Sequence, residues 1–87
     1  MDKELKVTKI FLEYTKKVKT LTVSQENQLK LYGLFKQANF GDNTTQEPSF
    51  YDLRGKAKWN AWNEHLGESK YNSIKRYIKI VKNLSNP

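Results

Sequence analysis

Apolar side chains in this chain recur at steps of three and four residues and form no alternating run, and this pattern points to helices and nothing else. Val7, Ile10, Phe11, Tyr14, Val18 and Leu21 are separated by Lys and Glu, the spacing that lines one face of a 3.6-residue helix. They predict a helix over about residues 3 to 19. Thr20 to Val23 interrupts the pattern. Ser24 is suited to accept a hydrogen bond from the first free amides of a second helix, on which Leu31, Leu34 and Ala38 form the inward stripe to about residue 39. A third helix is expected from Arg54 or Gly55, with Trp59, Trp62 and Leu66 on one side and Gly67 as its stop. Ser69 then caps a fourth, marked by Tyr71, Ile74, Tyr77, Ile78, Val81 and Leu84, which ends before Pro87. The reading is all-α, four helices, one domain over residues 1–87.

A chain of 87 residues sits near the lower size at which one apolar core suffices, and with no cysteine it has neither a disulfide nor a thiolate metal site to supplement that core. The longest uninterrupted apolar runs are two or three residues, too short for a membrane span or the core of a signal peptide, so a soluble cytoplasmic protein is expected. From Phe40 to Leu53 the residues Gly41, Asp42, Asn43, Thr44, Thr45, Pro48 and Ser49 cannot sustain a helix. So long a connection in a small domain is usually functional or pinned by its own aromatics, here Phe40, Phe50 and Tyr51.

A formal charge of +7 implies attraction to polyanions: nucleic acid, acidic membrane surfaces or phosphorylated small molecules. The lysines are spread along the chain with no run of five or more, which makes most of them a solvated face. Two stretches differ. Tyr32, Phe35 and Lys36 share a flank of the second helix away from the leucine stripe, and Arg54 and Lys58 stand one turn apart on the third. Rings and cations at such spacing can stack a flat base and pair with a phosphate, although a peripheral aromatic pair covered by lysine stems, or two exposed and screened cations, would read the same way. Gly33, inside a helix at a penalty of about 1 kcal/mol, indicates that something approaches the backbone closely. Trp62 reads as core, and Trp59 as core or ligand platform.

Enzymatic chemistry has little to stand on. His65 is the only histidine, a surface residue by default, and no phosphate-binding glycine loop or nucleophile motif occurs. No metal or cofactor is expected. Asn43-Thr44-Thr45 and Asn83-Leu84-Ser85 fit the glycosylation pattern, but with no signal peptide to direct them they are not expected to be modified.

The order Leu-Tyr-Gly-Leu-Phe-Lys-Gln-Ala, a Gly-Asp loop with a proline, Gly-Lys-Ala-Lys-Trp-Asn-Ala-Trp-Asn, and a Ser-led helix containing Tyr77 resembles the acyl-CoA-binding protein family over roughly Leu29 to Leu84. The resemblance implies an up-down-down-up bundle, no catalysis, and a cytoplasmic, monomeric carrier and pool former for long-chain fatty acyl-CoA. It would serve acyl-CoA-using lipid enzymes; transient contact with acidic membranes is the expectation that the positive charge adds. It implies ligand binding along Tyr32, Gly33, Leu34, Phe35 and Lys36, with the rings and Lys36 on the adenine and 3′-phosphoribose. Lys58 would bind the same phosphate, with Arg54 one turn before it, Tyr77 beside the nucleotide and Lys19 reaching the ligand from the first helix. Phe35 stands where the family often has tyrosine, so stacking survives without a phenol hydrogen bond, and Arg54 replaces a common lysine. An acyl chain would need an apolar groove, for which Leu29, Ala57 and Phe11 are the candidates; from sequence alone they could equally be core. The rival reading is a small basic helical nucleic-acid-binding domain, favoured by charge but without a recognition-helix signature or a concentrated basic stripe.

Overall fold

Three of the four helices begin with a short polar side chain turned back onto the free amides of the first turn. Ser24 Oγ accepts from Asn27 N at 3.2 Å, Asp52 Oδ1 from Gly55 N at 3.0 Å, and Ser69 Oγ from Asn72 N at 3.0 Å. The computed structural model describes residues 2–85, with side chains from residue 5 onward. The elements are α1 (Asp2–Lys17), followed by a 3₁₀ turn (Val18–Thr20), α2 (Gln25–Phe40), α3 (Leu53–Asn63) and α4 (Lys70–Ser85). Asp52 is a cap that the turn-rich composition around it conceals. α3 also stops short of Gly67: His65 N, Leu66 N and Glu68 N bond three residues back, and Gly67 reverses the chain at φ 85. Leu66 is thereby turned out of the apolar side and is exposed.

α2 and α3 run parallel. Gln25 and Leu53 line one hollow with Leu29 and Ala57, and the space beside Gly33 is filled by the Ala61 carbonyl, so both helices advance in the same direction in constant register. α4 runs opposite to α2, with Gln37 reaching the Glu68 carbonyl and Phe35 lying beside Tyr77. α1 packs on α4 through Phe11, whose ring meets Tyr77 edge-on at 5.1 Å. The result is the up-down-down-up bundle, with Phe11, Leu31, Leu34, Ile74, Tyr77 and Val81 at its centre.

A parallel pair needs a connection that returns the full length of the helix, and residues 41–52 make that return along α3. Trp62 Nε1 donates to Gly41 O at 2.9 Å, Trp59 Nε1 to Thr45 O at 3.1 Å, and Lys56 pairs with Glu47 at 2.7 Å. Asp42 Oδ1 accepts from both Gln37 and Gly67, and those bonds hold its carboxyl below the ordinary carboxylate range. The expectation that Phe40, Phe50 and Tyr51 pin this segment is therefore corrected: all three are exposed, and polar contacts to α3 hold it. Trp62 is core, as read, while Trp59 is half-buried against the connection.

His65 is not the surface residue its isolation suggested. Its side chain and that of Glu68 are only 11% and 12% exposed, with Nδ1 3.0 Å from Glu68 Oε1. Arg76 reaches the same oxygen at 2.7 Å, and Asn72 donates to the other at 2.9 Å. Burial alone would push the Glu68 carboxyl up; the bonds from Arg76 and His65 together outweigh it and hold it below the ordinary value. A folded-state pKa below the unfolded one stabilises the fold above the unfolded carboxylate range and ceases to do so as pH falls through the folded value. Wild type should lose stability between about pH 5 and pH 3 more steeply than Glu68→Gln. Urea midpoints across that range check this, and parallel curves for the two proteins would deny Glu68 the part.

Candidate ligand-binding site

The close approach of α2 and α3 decides where the charged flank lies. A Cβ on Gly33 would stand 2.1 Å from the Ala61 carbonyl oxygen and 3.2 Å from the His65 ring, so only glycine lets the backbones meet here. The close approach read at Gly33 is therefore that of α3, and the glycine itself offers no surface to a ligand. Leu34 on the next position is 1% exposed in the core, so its side chain is likewise withdrawn. Phe11 is corrected in the same way: at 3% exposure, packed on Tyr77 and 6.1 Å from Phe35, it is core and lines neither of the hollows described below.

With the helices this close, Tyr32 becomes a partition between two concave regions. The first, about 380 Å³, is bounded by Lys19, Leu21, Leu31, Tyr32, Phe35 and Tyr77. Its floor is aromatic: Phe35, still 38% exposed, leans on Phe11 and lies 6.5 Å from Tyr77. Burial pushes the Tyr77 phenol above its ordinary value. The second, about 790 Å³, runs between α2 and α3 and is bounded by Gln28, Leu29, Tyr32, Arg54, Ala57 and Lys58. Leu29 and Ala57 both line it.

Across the partition the cations converge. Lys36 Nζ and Lys58 Nζ lie 5.9 Å and 5.3 Å from the centre of the same Tyr32 ring. Lys36 is also held over Phe40 at 4.7 Å and Trp62 at 5.2 Å, so three rings restrict a side chain that would otherwise roam. Arg54 stands one turn before Lys58 on the same wall, and Lys19 enters from the opposite side of the first hollow. Tyr32, Arg54 and Lys58 thus share the second hollow, Lys36 lines neither hollow and joins them through the Tyr32 ring, and Lys19, Phe35 and Tyr77 stand around the first. Planar rings open to solvent beside two ammonium groups suit a base and a phosphate, and Leu29, Leu53 and Ala57 give the second hollow, whose lining they share with Gln28, Arg54 and Lys58, an apolar strip that suits a hydrocarbon. Among the described residues no group of three metal-binding side chains occurs.

Sequence reading overlooked two parts of this arrangement. Gln28 borders both hollows and stands one turn before Tyr32, a spacing that could have placed it there. Phe40 follows Lys36 by the same interval, and that pairing was readable in principle as a ring beneath a cation.

Residues 8–81 match the family model described as acyl CoA binding protein. The chain is 52% identical over 69 residues to acyl-CoA-binding protein homolog 1 of Caenorhabditis elegans, covering 77% of this chain and 80% of that protein. It is 46% identical over 80 residues to the acyl-CoA-binding protein homolog of Drosophila melanogaster, covering 90% and 93%. The crystal structure of Oryza sativa acyl-CoA-binding protein 2 superposes with a TM-score of 0.87 at 42% identity, covering 91% of this chain and 90% of that one. That of the corresponding protein of Moniliophthora perniciosa superposes with a TM-score of 0.83 at 29% identity, covering 92% and 84%.

Proposed function

Because the chain belongs to the acyl-CoA-binding protein family, we propose that it binds long-chain fatty acyl-CoA esters in the two hollows and carries them between membranes and lipid enzymes. The observation that carries this reading is the meeting of Lys36 and Lys58 over one tyrosine ring that borders both the aromatic hollow and the trough between α2 and α3. In this reading the adenine lies on Phe35 beside Tyr77, and the 3′-phosphate sits between Lys36 and Lys58. Lys19 and Arg54 meet the remaining phosphates, and the acyl chain runs over Leu29 and Ala57. Binding is the whole mechanism: the chain is shielded from water while phosphate and base serve as the handle, and no bond is made or broken. The carrier acts as a cytoplasmic monomer, one domain over residues 1–87, without a cofactor. None of the described helices is long and apolar enough to cross a membrane. The nucleic-acid alternative finds no support in the relatives or in the solved structures.

Lys36→Ala and Lys58→Ala should each weaken binding by about 1.5 to 3 kcal/mol, the scale of a hydrogen bond to a charged group. Calorimetry comparing an acyl-CoA with its 3′-dephospho analogue provides the check. The two substitutions should matter little for the dephosphorylated ligand, and equal wild-type affinity for both ligands would remove the phosphate from these two lysines.

A further inference from the structure

Phe50, Tyr51 and Leu53 leave 80%, 77% and 77% of their surfaces to solvent, more than any other large apolar side chains among the described residues. The two rings pack on each other, edge to face at 5.5 Å, and not on the core. Leu53 also forms the lip of the α2–α3 trough that holds Leu29 and Ala57, so apolar surface continues from the exposed rings into the groove. Arg54 and Lys58 stand on the same wall, and among the described residues neither has a carboxylate within ion-pair distance. The nearby acids are engaged: Glu47 pairs with Lys56 at 2.7 Å, Glu26 with Lys30 at 3.8 Å, and Asp52 caps α3.

We propose that the rim formed by Phe50, Tyr51 and Leu53 is the surface with which the ligand-free protein touches an anionic lipid bilayer, so that an acyl chain can pass from the bilayer into the groove over Leu53. The inference rests on the carrier reading for its purpose, though not for its contact. Exposed aromatic rings settle at the depth of lipid headgroups, where they keep one edge wet, and neighbouring cations gain from the negative potential of acidic lipids. A chain carrying +7 is drawn to such a surface, and this rim is where that attraction and apolar insertion coincide. An acyl-CoA ester is itself an amphiphile that partitions into bilayers, so an apolar lip at the groove mouth lets its chain transfer without crossing water.

Flotation of the full chain with vesicles of phosphatidylcholine and phosphatidylserine in equal parts, against phosphatidylcholine alone, tests the contact. Wild type should float with the anionic vesicles, and the double variant Phe50→Ser, Tyr51→Ser should lose about tenfold in partitioning, a loss consistent with removing two interfacial rings. Both side chains are exposed, so the variant should fold and keep its calorimetric affinity for an acyl-CoA supplied in solution. Failure of wild type to float, or equal flotation of the variant, overturns the proposal. A concentration-dependent dimer that the double substitution abolishes would give the rim to self-association and overturn it equally. Vesicle binding lost in the variant, together with no acyl-CoA binding by wild type, would leave the rim standing and remove the carrier reading instead.

Discussion

Free coenzyme A is expected to bind at least about a thousandfold more weakly than a long-chain ester, because on the proposed reading the trough lined by Leu29 and Ala57 would take hydrocarbon out of water. Each fully buried methylene contributes about 0.8 kcal/mol, close to a fourfold step in affinity, and a chain lying in an open groove should realise part of that. Titrating a series from coenzyme A through short to long esters should give a rising ladder. It should level off where added carbons pass the exposed Leu53 edge and remain in water. Free fatty acid, lacking the handle that Lys36 and Lys58 would grip, should bind poorly. A flat series would leave a nucleotide-binding domain and withdraw the carrier function.

Gly33→Ala should destabilise the fold by about 3 kcal/mol, which in a domain this small is a fall in Tm of about 15 °C. The sign is informative, because intrinsic helix propensity favours alanine by about 1 kcal/mol. A loss must therefore come from the methyl group meeting the Ala61 carbonyl, 2.1 Å from where the Cβ would stand, and backbone cannot rotate away as a side chain can. To admit the methyl, α2 and α3 must part, which also separates Lys36 from Lys58 and widens the trough. Calorimetric melting with and without ligand would show both effects. A variant as stable as wild type would mean that the helices do not meet at this point.

Much of this architecture could be read from the chain, and the boundary between what could and could not follows the range of the interactions. Ser24, Ser69 and the Leu31-Leu34-Ala38 stripe act within one or two turns, so their spacing expresses them. Tyr32 and Lys36 were readable as a flank for the same reason. Phe11 was not separable from a groove residue, because periodicity says that a position is apolar and facing inward without saying whether its neighbour is protein or ligand. Residues 41–52 gave the opposite difficulty. Their aromatics drew attention, while Gly41 O, Thr45 O and Glu47 bond to partners on α3, and Asp42 to Gln37 on α2 and to Gly67 in the turn after α3, pairings whose register depends on the whole bundle. His65 looked exposed because its partner carboxylate, Glu68, lies on the far side of the reversal at Gly67, and spacing alone does not show that the chain folds back to bring the two together.

The parallel course of α2 and α3 also sets a rule for how this chain can change in length. From the end of α2 back to the start of α3 the connection must travel the length of a sixteen-residue helix, about 24 Å at 1.5 Å per residue. A fully extended strand of chain covers at most about 3.6 Å per residue, so roughly seven residues are the least that could make the journey, and twelve are present. Deletions here soon meet a geometric wall, whereas insertions meet only the slowly growing entropy of a longer loop. Natural variation and engineered cargo alike should accumulate between Thr45 and Pro48 as added residues far more readily than as lost ones.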